Sequence, residues 1–119
     1  VLQELLLRPH DSVRKTLQHA SSEEIQKALS FLGLEHEPEQ FVGQLSYSQR
    51  RKLDLVRSLV HSPRMIVWDE PFLGLDRESI EAFHAPLREL KQSGATIIVA
   101  TFQSSDFSFL NPEKILELH

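Results

Sequence analysis

Two short apolar runs, "MIVW" at Met65–Trp68 and "ATIIVA" at Ala95–Ala100, flank a segment with helical spacing, and they constrain the fold more than anything else in the chain. Each run has strand length and is continuous rather than alternating, the pattern of a strand buried on both faces. Between them Asp76 is placed to cap a helix whose apolar positions are Ile80, Phe83, Leu87 and Leu90 and which Gly94 closes. Pro86, in the interior of that helix, predicts a kink. Strand, helix and strand joined by short connections form a βαβ unit, so the two strands are expected to be parallel. In such sheets ligands gather at the carboxyl ends of the strands. Asp69-Glu70 follows the first run and Thr101-Phe102 the second.

The preceding residues read as helical. Val1 to about Leu7 suggests a short apolar helix, Pro9 breaks it, and a second helical stretch surrounds Val13, Leu17 and Ala20. Ser21 and Glu24 have capping-box spacing ahead of Ile25, Ala28, Leu29 and Leu32, and Gly33 suits a helix stop. From Leu34 to Leu45 the chain is acidic and turn-rich, a connection. Ser46 and Gln49 repeat the capping-box spacing, with Leu53, Val56, Leu59 and Val60 as the buried stripe of a helix ending near His61. Pro63 prevents its continuation. Past the second strand, a Ser-rich turn at Gln103–Ser105 and a short final strand at Lys114–Leu118 are expected. The division that results is a helical region, residues 1–61, followed by an α/β region, residues 62–119.

At 119 residues and 13.7 kDa, with 40% hydrophobic residues, the chain fits one domain or a piece of one. A net charge of -4 and a pI near 5.8 argue against nucleic acid as a partner held by bulk charge. Without cysteine there is no disulfide framework, Cys-based zinc site or Cys nucleophile. No apolar run approaches the roughly 20 residues that span a bilayer, and "VLQELLLRPHD" lacks the basic region and cleavage pattern of a leader. The six histidines, His10, His19, His36, His61, His84 and His119, read as surface residues. Because the chain opens on Val1 within a helical pattern, a truncated protein is expected.

The chemistry concentrates in two places. A strand ending in adjacent carboxylates divides labour: Asp69 could hold Mg²⁺ directly or through water, and Glu70 could orient or deprotonate an attacking water. Taken alone, the pair fits a solvated strand end equally well. Ser46 at a helix N-terminus leaves a hydroxyl and unpaired amides where the helix dipole favours an anion such as a terminal phosphate. Taken alone, it fits a plain helix cap.

Together they carry a resemblance. "LSYSQRRKLDLVRSLVHSPRMIVWDEPFLGLD" resembles the nucleotide-binding domain of ATP-binding cassette (ABC) transporters. That domain has a Leu-Ser-Gly-Gly-Gln signature, a helix, a Walker B strand, Asp-Glu-Pro and a D-loop with Leu-Asp, in this order. The resemblance implies a P-loop NTPase-like partial domain of α/β class, a helical subdomain followed by a parallel βαβ core. It implies Ser46, Tyr47, Ser48 and Gln49 as the signature, Asp69 as the Mg²⁺-side carboxylate, Glu70 as catalytic base and Asp76 as the D-loop aspartate. ATP and Mg²⁺ would be the cofactors. The partners would be a second cassette, identical or not, packed head to tail, and transmembrane transporter subunits. The location would be the cytoplasmic face of a membrane. In that arrangement the signature covers ATP held by the partner.

Three departures qualify the resemblance. No G-x-x-x-x-G-K-[ST] loop occurs, so the Walker A half is absent from this sequence, and the resemblance covers the second half of a cassette. Tyr47 and Ser48 stand where the signature has glycines, and a tyrosine side chain there either obstructs close approach of a phosphate or points outward. Phe102 occupies the position of the family's switch histidine and has no side-chain donor for a phosphate. The leading expectation is therefore a partial ATP-binding subunit of a transporter. A non-catalytic half-cassette that regulates a partner is the alternative, and a soluble cassette protein of translation or repair a third. "DEPF", Gln103 and "KILELH" also faintly resemble the cassette subunit of cytochrome c biogenesis haem exporters.

Overall fold

The computed structural model describes residues 7, 9–37, 39–60 and 62–114. The expected helix at Val1–Leu7 and the expected strand at Lys114–Leu118 fall almost wholly outside those residues. The chain forms two compact units, Val1–Pro63 and Arg64–His119.

The first unit is helical because its caps and apolar spacing agree. Helix α1, Val13–Thr16, starts at Ser12, whose hydroxyl accepts the Lys15 N–H. Helix α2, Ser22–Leu32, starts at the reciprocal Ser21–Glu24 box and stops at Gly33, whose φ of +72° is the left-handed conformation that favours glycine. Helix α3, Tyr47–Leu59, follows the same logic from Ser46. Val13, Leu29, Leu32, Val42, Leu45 and Leu53 are buried together at the centre of this unit. On α3 the stripe differs from expectation: Leu53 and Leu55 are the buried residues, whereas Val56, Leu59 and Val60 are half-buried.

The connection into α3 is more ordered than a turn-rich sequence suggests. Ser12 and Phe41 form an isolated antiparallel bridge, with Val13 N–H donating to Gln40 O and Val42 N–H to Asp11 O, both at 2.9 Å. Gly43 N–H then donates to Pro9 O at 2.9 Å, and a Cβ at Gly43 would lie 3.1 Å from that same oxygen. Glycine is needed there for close approach, and a 3-10 turn at Val42–Gln44 delivers buried Leu45 and then Ser46.

In the second unit strands β1, Met65–Asp69, and β2, Thr96–Ala100, pair in parallel, from Met65 opposite Thr96 to Asp69 opposite Ala100. The expectation that both strands are buried on both faces is corrected. Ile66 and Trp68 are buried, while Met65 (57% exposed), Val67 (66%) and Ile98 (48%) share an open face. A single crossover covers one side of its sheet, and here that side is the one carrying Trp68, which meets Phe83 edge-on with ring centroids 6.3 Å apart.

Pro86 does more than kink the crossover; it divides it into α4, Arg77–Ala82, and α5, His84–Gln92. Proline's ring excludes the carbonyl four residues earlier, that of Ala82, which is where α4 ends. Pro86 itself then lies in the first turn of α5, where no intrahelical donor is required. Ile80, Phe83, Leu87 and Leu90 are buried as their spacing predicts. Past β2, the expected Ser-rich turn is the start of a longer 3-10 helix, Ser104–Leu110. Its Phe107 stacks on Phe72 at 4.7 Å, and burial of that ring explains the added order. His84 is also corrected: it is half-buried, with its ring stacked on Phe109 at 3.8 Å.

Candidate functional site

The expected site residues fall into both units, and each group is held by different means. In the first unit the reciprocal box at α3 is formed on both sides. The Gln49 N–H donates to Ser46 Oγ and the Ser46 N–H donates to Gln49 Oε1, each at 3.1 Å. The Ser46 hydroxyl therefore accepts from its own helix and retains its proton for donation outward. Arg50 N–H bonds Ser46 O, so within this first turn the Tyr47 and Ser48 amides are the ones without an intrahelical acceptor. Tyr47 is 66% exposed and Ser48 half-buried.

In the second unit the sheet turns sharply at Glu70. Its φ of +42° is left-handed, a conformation costing a non-glycine residue about 1–2 kcal/mol, and its N–H is tied to Ala100 O at 2.7 Å. Pro71 is fully buried and Phe72 nearly so, with Phe72 lying between the Phe83 and Phe107 rings. This aromatic stack anchors the loop and leaves Glu70 at the carboxyl end of the sheet. The Glu70 carboxylate accepts from Phe102 N–H and, at 3.3 Å, from the Thr101 hydroxyl. Thr101 and Glu70 are 31 positions apart in sequence, and their pairing has no local signal; parallel register alone indicates that the two strand ends meet.

The remaining candidates are placed as follows. Asp69 is exposed on the open face of β1. Asp76 caps α4, its Oδ1 accepting from Ser79 N–H at 2.8 Å. Phe102 directs its side chain into solvent, 97% exposed, while its backbone serves Glu70. The structure thus brings Glu70, Thr101 and Phe102 together, and Ser46 with Gln49. A surface recess of roughly 570 Å³, bordered by His36, Glu37, Glu39, Gln40 and Gln44, includes none of the expected site residues.

The chain thus carries a capped helix N-terminus at Ser46 and the adjacent carboxylates Asp69 and Glu70 at the end of a parallel strand. Residues 1–73 match the family model described as ABC transporter, more than half of the chain, and the chain belongs to that family. It is similar to the Nod factor export ATP-binding protein I of Burkholderia lata, 38% identical over 77 residues, covering 65% of this chain and 25% of that protein. It is also similar to the methionine import ATP-binding protein MetN 1 of Acinetobacter baylyi, 34% identical over 80 residues, covering 66% and 22%.

Among solved structures, the ATP-binding subunit of an ABC transporter superposes with a TM-score of 0.73 at 23% identity, covering 87% of this chain and 48% of that one. A bacterial ABC transporter cassette solved as a dimer gives 0.72 at 22% identity, covering 90% and 53%. These likenesses show that the chain has the fold of part of an ABC cassette. The chain spans 11–27% of the length of the curated relatives it matches and about half of those two solved cassettes. The family match ends at Leu73, so Asp76 and Phe102 lie beyond it.

Proposed function

We propose that this chain acts within the ATP-binding subunit of an ABC-type membrane transporter, where ATP binding and hydrolysis at a head-to-tail pair of cassettes drive transport. The observation that carries this reading is Glu70, a carboxylate fixed at the carboxyl end of a parallel strand in a chain of this family. In the proposed reaction Glu70 takes a proton from a water. The water oxygen bonds to the γ-phosphorus while the bond from that phosphorus to ADP breaks. Ser46, Tyr47, Ser48 and Gln49 would face the nucleotide held by the second cassette, and Asp76 would meet that cassette.

Asp69 suits Mg²⁺ held mainly by phosphates and water. It is an exposed residue at a strand end, and Mg²⁺ commonly takes one or two carboxylates plus substrate phosphates. Among the described residues no group of three or more His, Cys, Asp or Glu could hold a metal by itself. When bound, the ion would neutralise charge on the transferring phosphate.

The proposed location is the cytoplasmic face of a membrane, against transmembrane subunits. Among the described residues no helix is long and apolar enough to cross a membrane. The names of the relatives include both exporters and importers, so the proposal names neither direction nor cargo. The haem-exporter likeness rests on "DEPF", Gln103 and "KILELH" and stays a narrower form of the same proposal.

Glu70→Gln tests the reading. In the transporter assembly it should abolish ATP turnover and trap ATP in a closed pair of cassettes. The second reading, a non-catalytic half-cassette that docks on a partner, is favoured by Phe102, which has no side-chain donor at the switch position, and by exposed Tyr47. For that reading Glu70→Gln changes nothing.

A further inference from the structure

Glu70 is held oxygen by oxygen. The Phe102 N–H donates to Oε1 and the Thr101 hydroxyl donates to Oε2 at 3.3 Å. The Thr101 oxygen in turn accepts the Gln103 N–H at 3.0 Å, which turns its proton toward the carboxylate. Two consecutive residues and the amide of a third thus form a clamp at the end of β2, and the Phe102 side chain takes no part in it.

An ionised carboxylate has about four acceptor sites on its two oxygens. The clamp occupies one on each oxygen and fixes the plane of the carboxylate. A general base acts only when it lies within hydrogen-bond reach of the proton it removes, and displacement by about 1 Å can cost roughly a hundredfold in rate. The backbone half of the clamp survives any substitution short of proline, so the hydroxyl is the half that sequence controls.

We propose that Thr101 is the positioning residue for Glu70, holding the carboxylate in its productive plane where no histidine is present at 102 to do so. This rests on the reading of Glu70 as the base. It also explains how an exposed phenylalanine at the switch position is compatible with an ordered Glu70: the group is steered by the residue before it.

The test measures ATP turnover by the transporter assembly containing this chain, with kcat, KM for Mg-ATP and melting temperature determined for each variant. Thr101→Val, which replaces the hydroxyl with a methyl, should lower kcat by about tenfold to a hundredfold with KM within about twofold. Thr101→Ser should restore most of the rate. If Thr101→Val also lowers the melting temperature, Thr101→Ala must reproduce the loss of kcat. Unchanged kcat in Thr101→Val, no rescue by serine, or a loss confined to KM overturns the proposal while leaving Glu70 as base. Full turnover in Glu70→Gln overturns the base reading itself.

Discussion

The two halves of the candidate chemistry are built by opposite means. The Ser46 cap is assembled from residues three positions apart, whereas the Glu70 clamp joins residues 31 and 32 positions apart. A local device depends on its own helix and is repeated in the same unit at Ser21–Glu24. A long-range device depends on the register of β1 against β2 and on the rings that hold the intervening loop. The Ser46 end is therefore expected to tolerate change around it better than the Glu70 end does.

That contrast can be broken most severely at Phe72. Removing its ring leaves a cavity between Phe83 and Phe107, and Phe72→Ala should cost the second unit about 3–5 kcal/mol by chemical denaturation. Hydrogen exchange at the Phe102 amide should accelerate as the clamp loosens, with the α3 amides unaffected. A smaller effect is expected at the local end. Ser46→Ala removes one half of the box and should cost about 1 kcal/mol, confined to the start of α3 in exchange measurements. Equal spreading of both effects across the chain would erase the distinction.

Tyr47→Gly sharpens it further. An exposed first-turn residue should change stability by about 0.5 kcal/mol or less. The expected gain lies in ATP-dependent pairing with the second cassette, measured by sedimentation, because a glycine at that position restores close backbone approach to a phosphate. Unchanged pairing would mean that the tyrosine merely points outward.

The sequence made the caps legible because the signals for Ser21, Ser46 and Asp76 lie within one helical turn. The parallel pairing of β1 and β2 was legible from the order of elements. Two features were not. Continuous apolar runs suggested strands covered on both sides, but periodicity reports hydrophobicity rather than what lies opposite, and Met65, Val67 and Ile98 are open. The Thr101–Glu70 bond was hidden because its partners meet only through tertiary register, although their placement at adjacent strand ends was foreseeable. The burial of His84 has no local signal either, since its ring stacks on Phe109 from a distant 3-10 helix.

The open face of the sheet has a thermodynamic consequence. Met65, Val67 and Ile98 are exposed on one side of β1 and β2, while on the other Trp68 packs against Phe83. Each Å² of that apolar surface withdrawn from water is worth roughly 25 cal/mol. A partner that covered this face and bound only the folded chain would raise its stability as its concentration rose. An assembly that shielded those three side chains would then melt at a higher temperature than the chain alone in dilute solution.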